Sequence, residues 1–354
     1  MNCRVSLIEL ETAGHRLWYL KLLAGRLAER PDVDGIDIFV KQGGASSPEW
    51  QVQLADSRDC VVHEVAPGSL SRSALLRRAS AAATRIVIPD GDLWLPAVTG
   101  TAGVTSISLL VSRPFPANGL VQRLRWSTKM GLALAATARG STRVFRLAMS
   151  EHETRPPSRL GWLPDPVELT NVLTGGEARR HLGLAEGLDV SLLCGGLGER
   201  KSVSHIVDAW RKVRNPDCRL VFVGSCQDTS VLRTLTDLQA TDDRVVLRLE
   251  YVSNLEFDTW ISAADRTLSL YDNVGSSGVA LKSWAAGTAV VVRRGSYLAE
   301  QLSNLHASMD AVRSDAELTQ SLAGVRAPND GQRPTMAQLR RRTAAFTDGL
   351  IGRL

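Results

Sequence analysis

The sequence predicts an α/β protein of two parallel sheets, each covered by helices, with a linker between them. Three observations carry this. Short apolar, β-branched runs alternate with segments of helical periodicity through most of the 354 residues. A proline cluster, Thr154-Arg-Pro-Pro-Ser-Arg followed by Leu163-Pro-Asp-Pro166, interrupts that alternation and marks a linker. Two glycine loops in the second half each run into a helix start, the place where ligands of open α/β sheets bind.

In the first half Val5–Leu10 reads as a strand and His15–Glu29 as a helix. Gly35–Val40, Val61–Val65, Arg85–Pro89 and Ser106–Val111 read as strands, with helices over Ser71–Thr84 and Leu120–Ala138. The second half is more regular. Strands are expected at Val190–Cys194, Arg219–Gly224, Val245–Leu249, Thr267–Tyr271 and Ala289–Val292, and helices at 201–213, 230–240, 254–264 and 276–286. Strands apolar on both faces are the mark of a parallel sheet buried between helix layers. The expected domains are 1–160 and 165–334, and the basic amphipathic segment Thr335–Leu354 is expected to return as a helix onto the first.

Composition narrows the class. A hydrophobic content of 44% is ordinary for a globular protein. The chain begins Met1-Asn-Cys-Arg and runs straight into Val5-Ser-Leu-Ile8, so no leader is expected, and no apolar run approaches the roughly 20 residues of a membrane span. The five cysteines, Cys3, Cys60, Cys194, Cys218 and Cys226, are scattered without a C-x-x-C spacing. Reduced thiols in a cytoplasm and no zinc site are the expectation. The net charge of +5 is unevenly placed: between Val65 and Ser150 eleven Arg/Lys, including Arg72, Arg77, Arg123 and Lys129, face two acids, Asp90 and Asp92. These are either solvated helix faces or a basic face for an anionic neighbour, a lipid surface or an anionic acceptor. No stacking series or binding motif for nucleic acid accompanies them.

The most informative stretch is Asn273-Val-Gly-Ser-Ser-Gly-Val-Ala-Leu-Lys-Ser-Trp-Ala-Ala-Gly287, followed by Thr288-Ala-Val-Val-Val292. A loop opens a helix at Ser276-Ser277-Gly278, and Gly287 ends that helix before a buried strand. Free amides, two hydroxyls and a residue without side chain suit a phosphate. A second such place is Leu192-Leu-Cys-Gly195-Gly196-Leu-Gly-Glu-Arg200-Lys201, where a strand meets a glycine loop and two cations. Together the two loops suit one diphosphate.

Leu163-Pro-Asp-Pro-Val, Gly195-Gly-Leu-Gly-Glu-Arg-Lys-Ser-Val, Leu220-Val-Phe-Val-Gly224, Ala263-Ala-Asp265 and the Ser-Ser-Gly helix with Ala285-Ala-Gly occur here in the order of the second domain of family 4 glycosyltransferases of the GT-B fold. Thr12-Ala-Gly14-His15-Arg-Leu-Trp-Tyr-Leu is similar to the glycine loop and first helix of their acceptor domain. The resemblance implies two Rossmann-like domains whose parallel sheets face across a cleft. It implies a hexosyltransferase-type activity, with transfer of a sugar from a nucleotide diphosphate donor and retention at the anomeric carbon. The product would be a cell-surface glycan, a glycolipid or a secondary metabolite. Lys201 matches the family's diphosphate-binding lysine, with Arg200 beside it and Gly14, Gly195, Gly196, Ser276, Ser277 and Gly278 on the donor side. The base is expected at Tyr251-Val252-Ser-Asn254. No metal ion and no cofactor beyond the nucleotide sugar is implied, and the location would be cytoplasmic, or peripheral at the inner face of a membrane.

The chain departs from the family at four places. Gly196 stands where an arginine is usual, and Val274 and Lys282 stand where two glutamates orient the donor's hydroxyls. A lysine cannot accept those hydrogen bonds. Two alternatives stay open: the donor is gripped by Arg200 and the Ser276-Ser277-Gly278 amides, with Lys282 as a third cation near the phosphates, or the chain is an inactive partner subunit. His15 at a helix start either faces the reacting sugar or is a surface histidine, and the family's mid-domain histidine is replaced by Ser112 and Arg113. Asp90-Gly-Asp92 has the spacing of a metal-binding pair, yet follows a strand of the acceptor domain, so it reads as an acceptor-side loop or a turn. A nucleotide-dependent oxidoreductase is the weaker alternative, because Lys201 occupies the third glycine position of a dinucleotide fingerprint. No G-x-S-x-G elbow supports a serine hydrolase.

Overall fold

The computed structural model describes residues 3–11, 16–54, 60–100, 106–111, 120–138, 140–148, 160–170, 173–271, 276–326 and 331–352. Two compact units divide the chain: Met1–Pro166 with Arg341–Leu354, and Val167–Arg340.

Unit 1 runs β1 (Cys3–Ile8), α1 (Arg16–Ala28), β2 (Val33–Lys41), α2 (Pro48–Gln53), β3 (Cys60–Val65), α3 (Arg72–Ala82), β4 (Arg85–Ile88), α4 (Leu95–Gly100), β5 (Ser106–Val111), α5 (Leu120–Thr137), β6 (Thr142–Ala148) and β7 (Leu160–Pro164). The seven strands form one parallel sheet in the order β3-β2-β1-β4-β5-β6-β7. On α1 the spacing Leu17, Leu20, Leu23, Leu27 places four leucines on one face, and all are buried against Val5, Leu7, Ile36 and Ile38. The other face of the sheet is covered by Leu75, Leu76, Leu95 and Ala133 of α3, α4 and α5, packed on Ile86, Ile88 and Leu109.

Four elements here were not anticipated. The helices α2 and α4 are one turn and a half long, too short for a periodic signal, and α2 is started by the Ser47 hydroxyl accepting from Trp50 N. The arginines of β6, Arg143 and Arg146, mask its strand pattern; the Arg146 guanidinium lies 3.8 Å from the Trp162 ring centre of β7. The linker expected over Leu163–Pro166 is corrected for its first two residues, because Leu163 and Pro164 complete β7. That is the edge strand, where a proline removes no ladder bond that a neighbour needs.

The last helix, α13 (Met336–Ile351), supplies Phe346, Leu350 and Ile351 to the core around α1. Arg26 clamps it through Asp348 (2.7 Å), and Arg85 donates to the Ile351 carbonyl. Tyr19, fully buried, donates to Asp165 Oδ1 (2.6 Å), and Arg342 Nε donates to the Asp165 carbonyl (2.6 Å). Burial and the Asp165 carboxylate push the Tyr19 phenol well above its ordinary value, so it stays the donor.

Unit 2 runs α6 (Gly175–Leu182), β8 (Asp189–Cys194), α7 (Val203–Trp210), β9 (Cys218–Val223), α8 (Thr229–Thr241), β10 (Val245–Arg248), α9 (Asn254–Ala263), β11 (Arg266–Ser269), α10 (Gly278–Ala286), β12 (Ala289–Arg293), α11 (Tyr297–Asn304), β13 (Met309–Val312) and α12 (Asp315–Leu322). Its six parallel strands lie in the order β10-β9-β8-β11-β12-β13. Thr174 and Glu177 form a full capping box at α6, and Asp228, Ser253, Ser277, Ser296 and Ser314 start the helices that follow them. Trp210 and Phe222 are wholly buried at the centre of the larger core. In both units the order of strands reverses once, between β1 and β4 and between β8 and β11. Ligands of such sheets bind beyond the carboxyl ends of those pairs.

Phe346 is fully buried among Tyr19 and the leucines of α1. Phe346→Ala is therefore expected to lower the opening free energy of unit 1 by about 3–5 kcal/mol. Native-state hydrogen exchange of the β1 and α1 amides checks it.

Candidate functional site

At the reversal point of unit 2 the chain leaves β8 and turns at Gly195, whose φ of 90° favours glycine. A Cβ at Gly195 would stand 2.9 Å from Lys201 Nζ, and one at Gly224 would meet the Gly195 backbone. The loop is tied down by Gly195 N donating to Val223 O (2.9 Å), Leu197 N donating to Ser225 O (2.8 Å), and the buried Leu197 side chain. Glu199–Lys201 then makes one 3₁₀ turn, and Ser202, left-handed at φ 59°, opens α7. Ser202 Oγ donates to the Leu270 carbonyl (3.0 Å); Arg293 donates to that carbonyl (3.1 Å) and to Ser202 Oγ (3.3 Å).

This turn points Lys201 inward. The residue is 4% exposed, its ammonium donates to the Cys194 carbonyl, and it stands 5.8 Å from the Tyr271 ring centre. Among the described residues no carboxylate pairs with it. Arg200 is exposed, with its guanidinium carbon 5.7 Å from the same ring. Cys194 is inert as a nucleophile: burial pushes its thiol up to about 12.

Across the reversal point α10 starts on Ser277, whose hydroxyl accepts from Ala280 N (3.4 Å), while Ser276 Oγ donates to Gln301 Oε1 (3.2 Å). Gly278 is the first helical residue, and Gly287 closes the helix in the left-handed conformation. Lys201 and Arg200 thus approach the ring of Tyr271, which directly follows the Leu270 carbonyl that anchors Ser202. Val274 lies outside the described residues. Lys282 is not a spare cation for the phosphates, contrary to expectation. Its ammonium is bound to the fully buried Asp258 Oδ1 (2.6 Å) and the Glu168 carbonyl (3.0 Å), since a buried carboxylate needs a charged partner. Asp258 Oδ2 also accepts from Thr170 N (2.6 Å). Tyr251, exposed, and Val252, buried, lie between the edge strand β10 and α9, with β9 between them and β8.

In unit 1, Gly14, His15, Ser112 and Arg113 fall outside the described residues. Asp90 accepts from Arg16 Nε (2.7 Å) and Asp92 pairs with Lys129 (2.9 Å), so the two acids are held by separate cations. Gly91 between them packs on Leu109, with its amide donating to Leu110 O (2.7 Å). Lys129 is therefore not part of the exposed basic face, and Arg85 is buried. The sequence reading missed Glu9. Written into an apolar strand over Val5–Leu10, it stands just past β1, 4% exposed, with Oε1 accepting from Glu11 N (2.9 Å) and no hydrogen-bond partner for Oε2 among the described residues. An acid directly after four buried strand residues was the available signal.

Residues 189–323 match the model of the family glycosyl transferases group 1. A comparison with curated proteins finds no match. Among solved structures the chain is similar to HepE from Anabaena in complex with UDP-glucose (12% identity, 99% of this chain and 96% of that one, TM-score 0.64). It is also similar to sucrose-phosphate synthase from Thermosynechococcus elongatus (15%, 98% and 96%, TM-score 0.66), and to WaaG, a glycosyltransferase involved in lipopolysaccharide biosynthesis (15%, 97% and 95%, TM-score 0.60). Two doubly wound parallel sheets with this likeness define the GT-B fold. The resemblance to family 4-like glycosyltransferases, read from motifs of the second half, is borne out by the family match over that half and by the fold of the whole chain.

Burial, and then the nearby Asp90 and Glu11, hold the Glu9 carboxyl at about 8 against an ordinary 4.5; the amide of Glu11 and Arg16 oppose the shift. The folded state keeps this proton while the unfolded chain releases it, so stability falls as pH rises from about 4.5 to about 8, and not beyond. Glu9→Gln should remove that slope. Urea unfolding of both proteins across this range is expected to show the variant gaining roughly 4 kcal/mol on the wild type by pH 8.

Proposed function

We propose that the protein transfers a glycosyl group from a nucleotide diphosphate sugar, held by unit 2, to an acceptor held by unit 1. One observation carries this: Lys201 is a buried ammonium at the reversal point of unit 2 with a carbonyl and a ring for company and, among the described residues, no carboxylate. Burying a cation without a counter-charge is costly, and an anion supplied by a ligand offsets it. A diphosphate suits the place, because the start of α10 adds backbone amides and the positive end of its dipole. The acceptor's hydroxyl oxygen bonds to the anomeric carbon and gives its proton to the departing diphosphate, while the bond from that carbon to the diphosphate oxygen breaks with its electron pair leaving on the diphosphate. Fixed cations and amides stabilise the charge as it grows. Protein groups meet that charge on this reading, so no metal ion or further cofactor takes part; transfer with retention is proposed from the family resemblance alone. The family match over 189–323 and a relative solved with UDP-glucose support the donor class.

A second reading, an inactive partner subunit, is favoured by the commitment of Lys282 to Asp258, which leaves a lysine where a carboxylate would meet the donor's hydroxyls. Titration with UDP separates the two. The wild type is expected to bind, and alanine at both Lys201 and Arg200 to weaken binding by about 2–4 kcal/mol, each charge-assisted contact contributing roughly 1.5–3. Unchanged affinity in the double variant removes both from the site; binding without turnover of any UDP-sugar favours the partner subunit.

We also propose cytoplasmic location with peripheral contact to an anionic membrane. Leu120, Val121 and Leu124 are exposed at the start of α5 beside Arg123 and Arg125, and Arg72 and Arg77 are exposed on α3. Apolar and basic side chains together fit the boundary of a charged bilayer. Sedimentation with phosphatidylserine vesicles is expected to fall steeply between 0.05 and 0.5 M salt, over which the screening length shortens from above to below about 10 Å. Equal sedimentation with neutral vesicles leaves these faces simply solvated.

A further inference from the structure

Unit 1 carries its own polar site at the place equivalent to the Lys201 loop. The parallel register pairs Leu7 of β1 with Val87 of β4, which brings Glu9 and Asp90 to the same carboxyl edge, at the reversal between these two strands. Arg16, the first residue of α1, reaches Asp90 there, and both side chains are part exposed (29% and 13%). Glu9 lies behind them. One of its oxygens is met by the Glu11 amide; the other is buried and unmet among the described residues. A buried polar atom of this kind is costly unless something supplies its hydrogen bond.

The charges select the class of partner. Arg16 and Asp90 cancel. Near neutral pH Glu9 retains its proton, and because Oε1 already accepts from an amide, the proton resides on Oε2 as a donor. Glu11 faces Lys41 at 3.9 Å, so its charge is balanced as well. Among the described residues each cation here already has its carboxylate, so an arriving anion gains no counter-charge, whereas a hydroxyl can accept from Oε2 and donate to a carboxylate oxygen.

We infer that Glu9, flanked by the Arg16–Asp90 pair, binds hydroxyl groups of an uncharged, sugar-like acceptor and disfavours acidic ones. This rests on the glycosyl-transfer reading, and it differs from the anionic acceptor expected from the basic segment: Arg72, Arg77, Arg123 and Arg125 are exposed on α3 and α5, and Lys129 is taken by Asp92.

Saturation-transfer NMR on the full chain at pH 7 tests it, with glucose, mannose and N-acetylglucosamine as neutral probes and glucuronate as the acidic one. At least one neutral sugar is expected to bind the wild type. Glu9→Leu should weaken it about tenfold or more, and Glu9→Gln, which keeps a donor and an acceptor, should stay within about threefold. Glucuronate should bind more weakly than glucose. No binding of any neutral sugar, equal binding by Glu9→Leu, or preference for glucuronate would overturn the inference. Should Glu9→Leu fail to fold, Glu9→Asp withdraws the carboxyl by one methylene and must show the same loss. UDP calorimetry on the same proteins separates the two readings. UDP binding with sugar binding indifferent to Glu9 sinks this site alone, and sugar binding that tracks Glu9 without any UDP binding sinks the transferase.

Discussion

The hydrogen bond from the Lys201 ammonium to the Cys194 carbonyl organises the second unit's functional end. It is possible because Gly195 has no side chain: any Cβ there would stand against the ammonium. The bond requires the 3₁₀ turn of Glu199–Lys201, and that turn requires Ser202 to hold a left-handed backbone, a conformation that costs a serine roughly 1–2 kcal/mol. Three hydrogen bonds among Ser202, Arg293 and the Leu270 carbonyl offset that cost. The cation is thus placed by the backbones of β8 and of the segment after β11, and not by its own flexible stem.

The same sheet topology occurs twice with opposite chemistry. At its reversal point unit 2 holds a cation with no carboxylate partner among the described residues; unit 1 holds a carboxyl kept neutral by burial, next to a balanced ion pair. A parallel sheet positions both in the same way, since the end of one inner strand and the loop after its neighbour are brought together by register alone. What differs is one residue type at each edge.

Much of the fold was legible because it depends on regular signals. The runs Val190–Cys194 and Ala289–Val292 could only be buried strands before helices, and Gly287 after an apolar helix gave its end correctly. Of the elements that escaped, α2 and α4 are too short for a periodic signal, and β6 and β7 are those where tertiary contact overrides local pattern. The arginines of β6 are accommodated by stacking on Trp162, and the prolines around β7 are harmless on a sheet edge. Lys201 and Arg200 could be singled out by residue type next to glycine, but the inward turn of one and the exposure of the other were set by Ser202, 68 residues from its anchor at Leu270. Lys282 was misjudged for the same reason: Asp258, its partner, is 24 residues away on another helix and has no local signal. Glu9 was hidden by its own neighbours, four apolar residues that made it look like part of the strand.

The loop that carries Lys201 also has an interior the protein does not use. A Cβ at Gly196 or Gly198 would meet no atom of the described residues within 4 Å, and neither residue has a positive φ. Its anchors are backbone carbonyls, the buried Leu197, Ser202 and Arg293, so its crown is free to change without moving the cation beneath. Gly196 stands where family 4 glycosyltransferases usually carry an arginine, and among the described residues the space for one is open. The surface above the Lys201 ammonium can therefore be rewritten by evolution or by design at two positions that flank the buried Leu197, while its electrostatic floor stays fixed.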